Sequence, residues 1–195
     1  MDLSERVKDH FSHSIQTSIL IADSLADAIA HAGQMLVSTI VNGKKVLTCG
    51  NGGTAALANY FSTQLIHRFL MERPALPAIS LASNSTVLSA IANDQAYKSI
   101  FAQQISALGQ AEDVLLCITT SGNAENIIEA IKIAHEKNMH IISLTGKDGG
   151  KLRHMYQPSD VEIRIPSDKT TCIHEGQLIV INCLCDTLDR GLFGV

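Results

Sequence analysis

Two short segments carry residue types suited to holding an anion. The first is Cys49-Gly50-Asn51-Gly52-Gly53-Thr54. Its glycines let the backbone turn sharply and bring N–H groups close to a ligand. A helix predicted to begin at Thr54 or Ala55 adds unpaired N–H groups and a positive dipole end. The same residues also suit an ordinary tight turn from strand to helix. The segment is neither the GxGxxG of a dinucleotide fold nor a Walker loop, since no Gly-Lys-Ser/Thr follows. The second segment is Thr119-Thr120-Ser121-Gly122-Asn123. A helix cap needs one Ser or Asn; consecutive hydroxyls exceed that need and suit a phosphate. A further glycine-rich turn, Thr145-Gly146-Lys147-Asp148-Gly149-Gly150, offers Lys147 to an anion or to solvent. Asn93-Asp94 can meet sugar hydroxyls or make an Asx turn.

The elements that must position these residues follow from apolar periodicity. Val7, Phe11, Ile15, Ile19 and Ala22, then Leu25, Ile29, Ala32, Leu36 and Ile40, recur at helical steps. Ser24-x-x-Asp27 resembles a capping box, which predicts two helices meeting near Asp23, the second ending at Asn42-Gly43. Their apolar stripe is wider than one core contact requires, so part of it is expected to face another subunit. Beyond Gly43, short apolar runs appear at Lys45–Cys49, Ala78–Ala82, Val114–Thr119, Ile141–Thr145 and Val161–Ile165. Helix-period segments separate or follow them: Ala55–Phe69, Ser85–Ala92, Ile100–Leu108, Ala124–Lys137 and Thr171–Arg190. Strands without polar alternation, separated by helices, predict an α/β fold. The expected architecture is a three-layer doubly wound parallel five-stranded sheet with an N-terminal helical hairpin. Residues 1–195 would form one domain, with 1–42 the helices for core and oligomer packing and 43–195 the α/β core. In such sheets ligands bind beyond the carboxyl ends of the strands, where both loops fall.

The chain has 195 residues and a formal charge of −4, with no basic run, which argues against binding the nucleic-acid backbone. A locally positive pocket stays open. Hydrophobic residues at 46% and charged residues at 17% suit a globular chain, and a 4% aromatic share without Trp leaves the core to Ala, Ile, Leu and Val. The five cysteines show no framework spacing. No leader opens the chain and no apolar stretch reaches ~18 residues, so a cytoplasmic protein with reduced thiols, away from membranes, is expected.

Together these residues resemble the sugar isomerase (SIS) domain, and within it the phosphoheptose isomerase group. The resemblance spans nearly the whole chain. It includes Cys-Gly-Asn-Gly-Gly, Glu72-Arg73-Pro74 with Leu76-Pro77-Ala78, Ile91-Ala92-Asn93-Asp94, Gly-x-x-x-Asp-Val-Leu-Leu from Gly109, and Thr120-Ser121-Gly122-Asn123. Leu144 to Gly150 and Asp160 to Pro166 complete it. Membership implies a flavodoxin-like sheet, a homotetramer with sites at subunit interfaces, and a phosphorylated sugar as ligand. The phosphate would sit on Thr119, Thr120 and Ser121, with Asn51, Gly52, Gly53 and Thr54 nearby. Asp94, Gln64 and His174 would meet the sugar.

Aldose–ketose isomerisation moves a proton between C1 and C2 and needs a base, an acid and a polarised carbonyl. Catalytic members resemble one another in a Glu on the first domain helix and a His on the last; here those positions are Gln64 and Asn182. Neither can shuttle protons near neutral pH. A further His and a Gln of zinc-binding members become Tyr60 and His174, a phosphate-site Ser becomes Ala124, and an Arg before the last helix becomes Cys172. Of Tyr60, Gln64, His174 and Asn182, only His174 is a good metal ligand, so no zinc and no other cofactor are expected. His174 and Glu175 form a substitute acid–base pair on paper, or a polar pocket wall with Glu175 near a helix N-terminus. His67 and Arg68, one turn beyond Gln64, are further titratable or charged groups, with His67 expected at the surface or an interface.

The stretch Ile181-Asn182-Cys183-Leu184-Cys185-Asp186 resembles the branch of the group that associates with the DnaA replication initiator. That resemblance implies a partner-binding role for Leu192 and Phe193, placed just past the last helix; alternatively the pair folds back on the core. The leading expectation is a non-catalytic tetrameric scaffold that binds a phosphosugar and the DnaA initiator. The alternative is D-sedoheptulose 7-phosphate isomerase, which makes the heptose precursor of lipopolysaccharide.

Overall fold

The computed structural model describes residues 2–194. Helix α1 (Leu3–Val41) precedes strand β1 (Val46–Gly50), helix α2 (Gly53–Ile66), strand β2 (Ala78–Ser80) and helices α3 (Ser85–Asp94) and α4 (Ala102–Leu108). Then come β3 (Val114–Ile118), α5 (Glu125–Glu136), β4 (His140–Thr145), β5 (Val161–Arg164) and α6 (Thr170–Phe193). Two 3-10 turns, Tyr97–Ser99 and Gly150–His154, lie in the connections. The five strands pair in parallel in the order β2-β1-β3-β4-β5. β1 and β3 are buried at every residue, as a strand covered on both faces must be.

Alternation along the strands feeds two separate cores. Val46, Val114, Leu116, Ile142 and Leu144 pack with α1, α2 and α6. Leu47, Cys49, Leu115, Cys117 and Ile141 pack with α4 and α5 on the other face. This is the expected three-layer, five-stranded parallel architecture. Cys49 stands in register with Cys117 and Gly50 with Ile118. The carboxyl ends of β1 and β3 are therefore level, and the two anion-suited loops emerge side by side.

The N-terminal hairpin is corrected: α1 is one helix of 39 residues. Ser24 does not cap a second helix. Its hydroxyl donates to the carbonyl of Leu20, one turn back, at 2.6 Å. Ile21 and Ile29 are buried and Leu25 and Ala28 pack on the same core, so helix–helix burial continues straight through Asp23. Asp2 caps the start by accepting from Ser4 N at 2.8 Å. Gly43, at φ 70°, ends the helix beyond Asn42. Along its second half α1 lies so close to α6 that a Cβ on Gly33 would be 2.3 Å from Thr187, and one on Gly191 would be 2.6 Å from Val37. The first half instead exposes Leu3, Val7, Phe11, Ile15 and Ile19, a continuous i, i+4 stripe.

Two other ends differ from expectation. α3 runs through Asn93 and Asp94, which occupy its last turn rather than a loop beyond it. α6 continues past Arg190 through Leu192 and Phe193 and stops at Gly194, φ 71°. Val195 lies outside the described residues. Among the described residues no helix is long and apolar enough to cross a membrane, and all five cysteines are free thiols.

Candidate functional site

The loop after β1 is held by its own residues. Thr54 Oγ1 accepts from Asn51 N at 2.8 Å and donates to Asn51 O at 2.9 Å. A Cβ on Gly50 would sit 2.5 Å from Thr54 O, so only glycine permits this closure. Gly52, at φ 54°, turns the chain into α2, whose first N–H groups have no side-chain cap. The N–H groups of Gly52 and Gly53 donate to no protein acceptor among the described residues. They form the open end of a helix, the usual seat of an anion.

Asn51 ties this loop to the next. Its amide and that of Asn126 exchange two hydrogen bonds, each 2.8 Å, joining the β1 loop to the first turn of α5. Tyr97 donates its hydroxyl to Asn51 Oδ1 at 3.0 Å from the 3-10 turn after α3. Neither Asn126 nor Tyr97 is signalled by sequence spacing, since each pairs across a long stretch of chain.

The loop after β3 is braced from behind. Gln177, fully buried on α6, donates to Thr119 O at 2.9 Å and Leu144 O at 3.1 Å. The Gly149-Gly150 turn packs backbone against backbone: a Cβ on Gly122 would lie 2.0 Å from Gly149 O, and one on Gly150 would lie 2.2 Å from Ser121 O. Asn123 Oδ1 accepts from Lys151 N at 3.1 Å and closes the contact. That is the role of the third glycine-rich turn; Lys147 itself is exposed at its tip. The hydroxyls of Thr119, Thr120 and Ser121 make no hydrogen bond within the described residues, and α5 follows Ala124, which supplies no side-chain cap. Unpaired hydroxyls and helix-start N–H groups thus meet the open start of α2 in one cradle.

His174 joins this cradle. Its ring lies against the start of α2, where a Cβ on Gly53 would be 3.0 Å from Cε1. Glu175 does not accompany it, and the substitute acid–base pair is corrected accordingly. Successive helix residues diverge by about 100°, and Glu175 turns to α1, accepting from Ser14 Oγ and pairing with His10 Nε2 at 2.8 Å. These bonds, led by Ser14, lower its pKa below the ordinary carboxylate value.

The other matched positions form a separate group. Tyr60 donates to Asn182 Oδ1 at 3.0 Å across the α2–α6 contact. Gln64 is one turn beyond Tyr60 on the same face of α2. Eleven residues separate Gly53 from Gln64, which at 1.5 Å per residue is about 16 Å along the helix. His174 and Asn182 are likewise about two turns apart on α6. Within one chain, then, Tyr60, Gln64 and Asn182 do not line the cradle. The four positions do not fit a divalent metal: they include one imidazole and no carboxylate or thiolate, and the Asn182 oxygen already serves Tyr60.

Asp94 accepts from its neighbour Asn93 at 2.9 Å and makes no hydrogen bond with the cradle loops among the described residues. Cys172 is buried beneath the start of α6. His67 is the exposed C-cap residue of α2, and Arg68 pairs with Glu72. Leu192 packs on the α1–α6 core, while Phe193 is 38% exposed, so the apolar tail is divided between core and surface.

Comparison with known proteins identifies the family and the fold. A family model described as SIS domain matches residues 10–146. The phosphoheptose isomerase of Shewanella denitrificans is 51% identical over 189 residues, covering 97% of this chain and 96% of its own. The phosphoheptose isomerase of Shewanella oneidensis is 50% identical over the same shares. Among solved structures, a phosphoheptose isomerase from Francisella tularensis superimposes with a TM-score of 0.95 at 43% identity, covering 97% of this chain and all of that one. One from Neisseria gonorrhoeae gives 0.93 at 39% identity with the same coverage. A matching SIS-domain model over residues 10–146, identity of about half over nearly the full length and a shared five-stranded parallel fold make the chain a member of the SIS-domain family, in its phosphoheptose isomerase group.

Proposed function

We propose that the chain binds a phosphorylated sugar, with the phosphate in the cradle of Gly52, Gly53, Thr54, Thr119, Thr120 and Ser121. The observation that carries this is the convergence of unpaired hydroxyls and two uncapped helix starts on one spot. Such an array stabilises a dianion with donors already in place. Asn51 and His174 border the cradle and would meet the sugar, with Asp94 approaching from α3. Tyr60, Gln64 and Asn182 would complete the ligand shell from a second copy. The exposed α1 stripe supports such an assembly, a homotetramer by resemblance, with residues 1–42 packing the subunits and 43–195 holding the ligand.

The fate of the bound sugar has two readings. Similarity to phosphoheptose isomerases at half identity over nearly the whole chain favours isomerisation of sedoheptulose 7-phosphate to the aldose. In that reading His174 is the proton carrier at the cradle. Binding without turnover, as a scaffold for a protein such as the DnaA initiator, is favoured by the amides at Gln64 and Asn182 and by the exposed ring of Phe193. The test is turnover of sedoheptulose 7-phosphate by the wild-type chain, alongside Gln64→Glu/Asn182→His. Wild-type turnover of about 1 per second or faster establishes the isomerase and overturns the scaffold. Calorimetric binding without turnover, with activity appearing only in the double variant, establishes the scaffold's chemistry. Absence of sugar-phosphate binding overturns both.

A further inference from the structure

At the start of α6, above the buried Cys172, a cavity of about 390 Å³ opens between Arg6, Asp9, His10 and His13 of α1 and Lys169 and Thr171. The chain as a whole is acidic, at −4, yet four of these six side chains are basic or can become so. Arg6 and Lys169 make no ion pair within the described residues. His13 Nδ1 is engaged by Asp9 O at 2.7 Å, which leaves Nε2 available. The nearby Glu175 carboxylate is already occupied by His10 and Ser14. Asp9 is the single carboxylate among the six, so two permanent cations face one anion. Lys169 precedes α6 without a side-chain cap, and the N–H groups of Thr170 and Thr171 donate to no protein acceptor among the described residues. A guanidinium fork, an ammonium, an imidazole and a helix start offer more donors than the two oxygens of a carboxylate can use, and match the three free oxygens of a phosphate ester.

We propose that this cavity is a second anion site, which binds a phosphate monoester through Arg6 and Lys169 with His13 beside them. None of its lining residues belongs to the cradle, so it stands apart from the function proposed above.

The histidines report the two sites separately: His10 and His13 line the cavity, and His174 lies at the cradle. In the full-length chain, inorganic phosphate is titrated while the histidine ring signals are followed by NMR at constant ionic strength. Saturable shifts are expected at His10 and His13. Their midpoint should be unchanged in the cradle variant Thr120→Val/Ser121→Ala and at least about tenfold weaker in Arg6→Ala/Lys169→Ala. Arg6 and Lys169 are exposed, so their removal leaves the fold in place. Unsaturable shifts, equal shifts with chloride, or an unchanged midpoint in Arg6→Ala/Lys169→Ala overturns the second site. A missing His174 response counts against the cradle alone.

Discussion

Arg73 is the hinge between α2 and the body of the fold, and its removal has a calculable cost. Its Nε donates to Asp189 Oδ1 at 2.7 Å, and its Nη atoms donate to Gln64 O at 2.7 Å and Leu65 O at 2.8 Å. The pair is almost dry, with side-chain exposures of 1% and 7%. Arg73→Met leaves the Asp189 carboxylate buried without a counter-charge, which costs about 3–5 kcal/mol. Arg73→Met/Asp189→Leu removes that charge. It leaves chiefly the Gln64 carbonyl unmet, because Leu65 O still accepts from Leu76 N at 3.0 Å. The double variant should therefore fall short of wild type by only about 1–2 kcal/mol. The assay is urea unfolding followed by circular dichroism at a single protein concentration, so that any subunit association contributes equally. With a slope of about 2 kcal/mol/M, the single variant's midpoint should fall by about 1.5–2.5 M and the double variant's by under about 1 M. A single-variant shift below about 0.5 M, or a double variant no better than the single, would refute the assignment of this stability to a buried charge pair.

Two more outcomes are expected at the site and in its surroundings. Gly122→Ala should weaken sugar-phosphate binding at least about tenfold by calorimetry, because its Cβ meets Gly149 O at φ 65°; Gly43→Ala, at φ 70° with open space around it, should cost about 1–2 kcal/mol of stability and leave binding unchanged. Equal effects at the two glycines would show that backbone strain, not loop packing, shapes the cradle. Glu175, whose folded pKa is lowered chiefly by Ser14, stabilises the fold above its unfolded pKa of about 4.3, and that contribution is lost as pH falls through the folded value. Ser14→Ala should move the Glu175 carboxyl titration upward toward the ordinary value, read by carbon NMR; an unmoved titration would remove Ser14 as the cause.

The strands are legible in the sequence to within a residue or two because each is a short, largely apolar run between helical segments, and the central β1 and β3 are buried at every residue. The places of the loops after β1 and β3 are legible for a related reason, since glycines and consecutive hydroxyls mark where an apolar strand gives way to a helix. The helix through Asp23 is not legible, because a serine that caps a helix and a serine that bonds back to Leu20 are identical in sequence. Burial of Ile21 and Ile29, which decides between them, is a tertiary fact. Asn126, Tyr97 and Gln177 escape sequence reasoning because their partners, Asn51 and the Thr119 and Leu144 carbonyls, are brought near only by the folded sheet. The pairing of His174 with Glu175 fails on helix geometry, which sends neighbouring side chains to different surfaces.

The main-chain crossing at Gly122 and Gly150, with Gln177 behind it, has an evolutionary consequence. The shape of the loop after β3 is set by main-chain atoms and Gln177, which no single exchange on the second half of α2 or of α6 replaces. The groups at Tyr60, Gln64 and Asn182 stand on a different stretch of helix, fastened by different bonds. On the function proposed above, affinity and reactivity would be inherited separately: two substitutions would silence or restore the chemistry while the receptor for the phosphate passes on intact.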